Sequence, residues 1–193
     1  MHILITGANG LVGQALVGRL LQDATALPRP LQRLTLLDLA FPEAPADARV
    51  QQLPGNITDT ALIDNAFAQP VDVVFHLASV PGGAAERNPL LGRQVNLDAT
   101  AYLLEKARLQ SEGGLAPRFI FAGTIAALGS PLPAEGVDDD TPCTPTLSYG
   151  AQKLCCEILV ADASRRGWID GCSLRLPGIV ARPAGPSGLL SAF

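Results

Sequence analysis

The sequence predicts an α/β fold: one doubly wound parallel sheet with helices on both faces. Three observations predict it. Short apolar runs alternate with segments of helical periodicity along the 193 residues, which is typical of a parallel sheet with crossover helices. Runs such as "DVVFHLA" (Asp72–Ala78) are apolar almost throughout, as expected for strands buried on both faces. A glycine-rich turn follows the first run and opens the first helical segment.

Six strands and four helices are expected in alternation. The predicted strands are His2–Thr6, Arg33–Leu39, Arg49–Gly55, Val71–Ala78, Arg118–Gly123 and Gly171–Gly178. Apolar residues at helical spacing predict helices at Leu11–Leu21, Asp59–Gln69, Pro89–Gln110 and Tyr149–Arg166. Pro70 and Gly167 provide stop signals for two of these helices. The segments Ala40–Ala48 and Gly129–Thr146 are predicted loops, and long loops in compact domains often carry function.

The composition excludes several classes of protein. Hydrophobic residues make up 48% of the chain, which argues against disorder. The net charge is -4 and no basic run occurs, so nucleic acid is not an expected partner. No apolar run is long enough to span a bilayer and no signal peptide is evident. The four cysteines lack zinc-site spacing, so we expect reduced thiols, no metal site and a cytoplasmic protein.

The turn "TGANGLVG" indicates a nucleotide site. Gly7 permits a tight turn, Gly10 lets the backbone approach a pyrophosphate, and Gly13 lets the helix lie close to the sheet. The helix N-terminus then offers amides to the phosphates. The alternative is a glycine-rich turn without a ligand. The predicted contacts of this segment also include Asn9, Leu11 and Val12.

Asp38 indicates which dinucleotide binds. It ends the second predicted strand, where a carboxylate can accept hydrogen bonds from both hydroxyls of the adenosine ribose. A 2'-phosphate would meet like charge there, and no arginine directly follows, so NAD is favoured over NADP. The alternative is an ordinary aspartate in a turn.

Two further strand ends are candidate cofactor contacts. After the third strand, Asn56 and the Ile57 backbone could meet the adenine, and Thr58 or Asp59 could equally cap the next helix; the two roles are compatible. The fourth strand ends in "HLAS". Its His76 is expected to be a satisfied core histidine rather than a catalytic one. The small residues beside it would let a cofactor cross the sheet edge, with contacts from Leu77, Ala78 and Ser79.

Tyr149 and Lys153 form a second candidate constellation. They stand four residues apart, so their side chains project from nearly the same helix face. A phenol held beside an ammonium can transfer a proton. Such pairs are also common on helix surfaces, and the spacing alone leaves both interpretations open.

Taken together, GxxGxxG at Gly7–Gly13, Asp38, HLAS and YxxxK at Tyr149–Lys153 resemble the extended short-chain dehydrogenase/reductases. This family includes NAD-dependent nucleotide-sugar epimerases and dehydratases. In finer detail, "DDDTPCTPTLSYGAQK", "ADASRRGWIDG" and "LRLPGIVARP" resemble the D-erythronate dehydrogenases, which oxidise a four-carbon sugar acid with NAD. The resemblance implies a Rossmann-type NAD-binding domain at residues 1–178. It also implies that residues 179–193 begin a truncated substrate-binding region, because family members continue further.

The resemblance implies roles for individual residues. Tyr149 would be the general acid/base, and Lys153 would favour its phenolate and bond the nicotinamide ribose. Thr124 stands where the family usually has serine and keeps the hydroxyl that can bond the reacting oxygen. Asn96 would brace the site beside the cofactor, and Pro177 would contact the cofactor. The alternative role of Asn96 is that of a partly buried amide bonded to neighbouring backbone.

Three residues depart from the family pattern. Gly123 and Leu128 stand where serine and an aromatic residue are frequent, and Asn56 stands where aspartate is usual. None of these changes removes a proton-transfer group.

The favoured function is oxidation of a secondary hydroxyl of a small sugar acid, D-erythronate to 2-keto-D-erythronate. One alternative is a nucleotide-sugar epimerase or dehydratase that retains NAD. Another is a regulatory NAD-binding protein without turnover, against which Thr124 and the intact YxxxK count. The helices containing Tyr102 and Leu159 are apolar nearly all round, which favours a homodimer.

Overall fold

The computed structural model describes residues 1–23, 27–44 and 46–178 of the chain. Its core is one sheet of six parallel strands in the order β3-β2-β1-β4-β5-β6. The strands are β1 (His2–Thr6), β2 (Arg33–Asp38), β3 (Val50–Pro54), β4 (Val73–His76), β5 (Arg118–Thr124) and β6 (Asp170–Leu176). The predicted doubly wound parallel sheet is therefore confirmed.

The described residues form six α-helices: α1 (Leu11–Gln22), α2 (Thr60–Ala66), α3 (Gly82–Arg87), α4 (Pro89–Gly92), α5 (Ala99–Glu112) and α6 (Ser148–Arg165). A π-helical turn, Arg93–Asp98, joins α4 to α5, and a 3-10 turn, Ile125–Leu128, follows β5. Among the described residues, no helix has the length and apolar character needed to cross a membrane.

Alternation along the strands divides the core between the two faces of the sheet. Ile3 and Ile5 of β1 belong to a cluster that α1 covers with Leu20. Leu4, between them in sequence, belongs to the larger cluster on the opposite face. Helices α2, α5 and α6 cover that face with Ile63, Leu103 and Val160.

The structure corrects several predicted boundaries. The expected continuous helix Pro89–Gln110 is divided by the π-helical turn and extends to Glu112. Helix α3 was not predicted, because its six residues, GGAAER, carry two glycines and no apolar stripe. Strand ends shift by one or two residues. The proposed second region at residues 179–193 lies outside the described residues.

Candidate active site

The predicted site residues converge at one edge of the sheet. Because all six strands are parallel, their carboxyl ends meet there, and ligands of open α/β sheets bind along this edge. Gly7 and Ser79 lie in the segments that follow β1 and β4, and Asp38 and Thr124 are the last residues of β2 and β5. Tyr149 lies in the first turn of α6.

The glycine turn has the tight geometry predicted for it. Gly7 has a φ of 71°, a conformation that favours glycine. A Cβ atom at Gly13 would lie 2.3 Å from the Gly7 carbonyl oxygen, so α1 can approach the turn only with glycine at this position. Gly10 is the N-cap of α1 and provides no side-chain cap. The first amides of α1 thus suit a diphosphate, and this cradle fits NAD.

The Asp38 carboxylate lies beside the glycine turn. One oxygen accepts the Asn9 backbone N–H at 2.8 Å, and the other accepts the Leu39 N–H at 2.7 Å. The Asn9 side chain donates to the Ala40 carbonyl oxygen at 3.0 Å. These bonds hold the carboxylate at the end of β2, where the sequence predicts that it meets the ribose.

The segment after β3 resolves one of the open alternatives. Asp59 is the N-cap of α2 and accepts the Ala61 N–H at 3.0 Å, while the Asn56 side chain accepts the Thr58 N–H at 3.0 Å. Asp59 therefore caps the helix. Asn56 and Ile57 line the cleft, and their contact with adenine stays a prediction.

The cleft at this edge has a volume of about 410 Å³ and contains most of the predicted cofactor contacts. Its predicted lining residues are Gly7, Asn9, Gly10, Asp38, Asn56, Ile57, Leu77, Ala78 and Ser79. Its walls also include residues that sequence reasoning missed, Leu39, Val80, Leu91 and Val95. The last two come from α4 and the π-helical turn, whose approach to this edge is a long-range contact without a local motif. All of these cofactor contacts stay predictions, and so do those of residues that do not line this cleft: Leu11, Val12, Gly13, Asn96, Tyr149, Lys153 and Pro177.

Two hydroxyl side chains, Thr124 and Ser79, act on the Tyr149 phenol. Burial raises the pKa of Tyr149, and these two side chains oppose that rise. Helix α3 begins against the ring, since a Cβ at Gly82 would lie 3.7 Å from Tyr149 Cδ1. The Glu86 carboxylate of α3 also accepts the Ser148 backbone N–H, which joins α3 to the start of α6.

Lys153 is buried, with 1% of its surface exposed. Its ammonium lies 4.0 Å from the centre of the Phe121 ring. Burial lowers the pKa of Lys153 to about 8, opposed by Cys156 and Glu157. Within the described part of the chain, Thr124 and Ser79 are the groups that lower the Tyr149 pKa. The role of Lys153 in favouring the phenolate stays a prediction.

Asn96 braces two elements of the site. Its side-chain oxygen accepts the Val80 N–H at 2.7 Å, and its amide donates to the Val80 carbonyl at 3.1 Å. The same amide donates to Gln152 Oε1 at 2.8 Å. Asn96 thereby ties the segment after β4 to α6. Sequence reasoning missed Gln152, which stands directly before Lys153.

A partly buried ion pair lies beside Gly123. Glu157 Oε2 lies 2.9 Å from both Nε and Nη2 of Arg175 on β6. Its other oxygen, Oε1, has no hydrogen-bond partner among the described residues. A Cβ at Gly123 would lie 2.5 Å from this oxygen. Glu157 therefore occupies the space that a serine would need.

Comparisons with known proteins agree with this geometry. The model of the NAD dependent epimerase/dehydratase family matches residues 3–193. A D-erythronate dehydrogenase from Cupriavidus necator is 44% identical over 197 residues, covering 100% of this chain and 60% of that protein. A second D-erythronate dehydrogenase, from Haemophilus influenzae, is 37% identical over 194 residues, covering 100% and 59%.

A solved structure has the same fold. The nucleoside-diphosphate-sugar epimerase from Agrobacterium tumefaciens superposes with a TM-score of 0.90 at 38% identity, covering 99% of this chain and 56% of that one. The chain thus spans about 60% of the length of the curated relatives it matches.

Proposed function

Because the chain belongs to the NAD-dependent epimerase/dehydratase family, we propose that its protein is an NAD-dependent dehydrogenase of the extended short-chain type. Its proposed reaction is oxidation of a secondary hydroxyl of a small sugar acid. The observation that carries the proposal is the half-buried Tyr149 phenol, on which Thr124 and Ser79 act, with Ser79 lining the dinucleotide cleft. The similarity to two D-erythronate dehydrogenases supports D-erythronate as the substrate and 2-keto-D-erythronate as the product.

The chain's own residues would divide the proton chemistry among them. As the phenolate, Tyr149 would accept the proton of the substrate hydroxyl and become the neutral phenol, which leaves the oxygen free to form the carbonyl. Thr124 holds the reacting oxygen by hydrogen bonding. Lys153 supplies a buried positive charge one helical turn from Tyr149. Bound NAD supplies the acceptor for the hydride that leaves the substrate carbon.

The test is Tyr149→Phe in the protein extended to the length of its relatives, assayed by NADH formation from D-erythronate. Removing a general base lowers kcat by about 10²- to 10⁴-fold, while NAD affinity should stay near that of the parent. The matched control is Tyr102→Phe, because Tyr102 is the only other tyrosine and its hydroxyl bonds Asp64 away from the site. Parental turnover in Tyr149→Phe would overturn the proposal. NAD binding with no turnover in the parent would favour a regulatory role.

A second candidate function is a nucleotide-sugar epimerase. The observation that favours it is the likeness to the Agrobacterium epimerase, at 38% identity. Such an enzyme would use Tyr149 and Lys153 with retained NAD. It would co-purify with NAD and produce no net NADH, and this outcome distinguishes it from the dehydrogenase.

We also propose a homodimer formed through the outer faces of α5 and α6. Ile158 and Leu159 on α6 are 62% and 39% exposed, and Leu109 on α5 is exposed as well. Adjacent apolar side chains on two helices suit a self-complementary contact with a second copy. Tyr102 contributes less than the sequence suggests, because its hydroxyl already bonds Asp64 within the chain.

A further inference from the structure

His76 lies buried at the end of β4, and threonine hydroxyls bond both of its ring nitrogens. Nδ1 lies 2.6 Å from Thr6 Oγ1, and Nε2 lies 2.7 Å from Thr100 Oγ1. All three side chains are fully buried. This arrangement satisfies every polar atom of a histidine that the proposed proton transfer does not use.

The neighbouring hydrogen bonds determine which atom donates and which accepts in each hydrogen bond to His76. Thr100 Oγ1 lies 2.6 Å from the Asn96 carbonyl oxygen, which can only accept, so the hydroxyl proton points there. The same oxygen must therefore accept from Nε2–H of His76. Nδ1 then has no proton and accepts from Thr6 O–H. The Thr6 oxygen in turn accepts the Ala78 backbone N–H at 3.3 Å.

The chain of bonds requires a neutral imidazole protonated on Nε2. Burial lowers the pKa of His76 to about 3, and the charge of Lys153 lowers it as well. The ring is therefore neutral at pH 7, and the same atoms donate and accept in each hydrogen bond.

These hydrogen bonds connect the glycine turn with helix α6. Thr6 directly precedes Gly7, and a Cβ at Gly7 would lie 2.6 Å from the Ala78 nitrogen, so the turn rests on this part of the backbone. At the other end, the Asn96 carbonyl also accepts the Cys156 thiol of α6 at 3.0 Å. The route therefore runs from the glycine turn through β4 and the π-helical turn to the helix that carries Tyr149.

We propose that His76, held by Thr6 and Thr100, is a positioning residue that aligns the glycine turn with the segment Ala78–Val80 for cofactor binding. We call this chain of hydrogen bonds the His76 relay; it consists of Ala78 N–H, Thr6, His76, Thr100 and the Asn96 carbonyl. The inference rests on NAD binding in the proposed function.

The second histidine provides a matched control within the same sheet. His2 Nδ1 lies 2.9 Å from the Pro70 carbonyl, and its Nε2 lies 2.8 Å from Thr35 Oγ1. Because the carbonyl can only accept, His2 carries its proton on Nδ1, the opposite tautomer from His76. Thr35 is as buried as Thr6 and Thr100, but its bond lies toward the amino ends of the strands, away from the cleft.

The experiment compares Thr6→Val and Thr100→Val with Thr35→Val in the protein extended to the length of its relatives, measuring NAD affinity by calorimetry and stability by thermal unfolding. Each change replaces one buried hydroxyl with a methyl group of similar size. The relay variants should weaken NAD binding at least about fivefold. Thr35→Val should lose similar thermal stability yet bind NAD within about twofold of the parent. Equal weakening in all three, or parental affinity in both relay variants, would overturn the proposal.

A second measurement does not depend on the stability of the variants. Nitrogen NMR of the parent should show two neutral imidazoles in opposite tautomers, with the proton on Nε2 in His76 and on Nδ1 in His2. A proton on Nδ1 of His76 would overturn the relay.

If Thr100→Val does not fold, Thr100→Ser should restore both folding and NAD affinity because it keeps the hydroxyl. A parent without NAD affinity would contradict the proposed function itself, whereas a parent that binds with unaffected variants would contradict the relay alone.

Discussion

The buried ammonium of Lys153 lowers the free energy of unfolding of the chain. Its ammonium is buried against the Phe121 ring, and burial lowers its pKa from 10.5 to about 8. Below that pH the folded chain must hold a positive charge that is largely removed from water. A residue retained at a cost in stability is typical of a functional site.

We predict that Lys153→Met stabilises the chain at neutral pH and that this gain shrinks as the pH rises. Between about pH 8 and 10.5 the unfolded lysine keeps its proton while the folded one has lost it, so the parent gains stability with rising pH in this window. The gain in the free energy of unfolding at pH 7 should be at most about 3 kcal/mol. Denaturant unfolding at pH 7 and pH 10 measures it.

The control for this prediction is Lys106→Met, which removes a lysine paired with Asp64 at 2.9 Å. It should not reproduce the pH-dependent difference. A Lys153→Met chain that is less stable than the parent at pH 7 would mean that the Phe121 contact outweighs the cost of burial.

Helix α1 shows how a backbone contact within an element decides what a position can hold. Gly13 and Gly18 lie in the same helix and look equivalent in helix propensity. Yet a Cβ at Gly13 would meet the Gly7 and Ala8 carbonyl oxygens at 2.3 and 2.6 Å, whereas one at Gly18 would meet no atom within 4 Å. A close backbone contact therefore requires glycine at position 13, whereas position 18 has space for a side chain.

We predict opposite effects for Gly13→Ala and Gly18→Ala. The first pushes α1 away from the turn and should destabilise the chain by roughly 1–3 kcal/mol while weakening NAD binding. The second removes backbone freedom from the unfolded state and should stabilise by about 0.5–1 kcal/mol. Chemical denaturation and NAD titration measure both. Equal effects of the two substitutions would contradict the close approach of α1 to the turn.

The segment from α4 to α5 shows where reasoning from local pattern stops. The apolar spacing predicts one continuous helix. The structure has α4, a π-helical turn and α5 in succession over this segment. This turn carries Asn96, whose side chain bonds Val80 and Gln152 while its carbonyl accepts Thr100 and Cys156. These partners lie up to 60 residues away in sequence. Periodicity cannot reveal them, although π-helical turns are frequent at functional sites.

Across the assembled chain, the two faces of the sheet have different surroundings. Helix α1 covers one face, while α2, α5 and α6 cover the other. The outer side of that second layer leaves Leu109, Ile158 and Leu159 exposed. This exposed apolar surface is the basis of the proposed homodimer.

We predict that Ile158→Glu converts a dimer into a monomer in the protein extended to the length of its relatives. A carboxylate would have to be buried in the contact between two copies, so dimer affinity should fall at least about tenfold. Light scattering over a range of concentrations measures it. Leu132→Glu, at a loop residue that is 46% exposed, is the control and should leave the dimer intact. A monomeric parent would refute the dimer.

Most of the fold was accessible from sequence because its signals are local. Buried strands read as apolar runs, and the glycine turn falls between β1 and α1 where the motif requires it. Helix α3 was missed because its short glycine-rich segment has no periodicity of its own. It is held in place by long-range contacts, including the bond from Ser148 to Glu86.

Gly7, Asp38 and the Tyr149–Lys153 pair were candidates from residue type and spacing, whereas Thr124 was identified through the family resemblance. Their arrangement required the tertiary structure, because parallel strands bring the ends of distant segments to one edge. Tertiary packing also decided that Lys153 faces Phe121, that Glu157 Oε1 lies close to position 123, and that threonine hydroxyls bond both ring nitrogens of His76. In each case the deciding contact joins residues far apart in the chain, and a pattern along the sequence records only which residues are near one another in order.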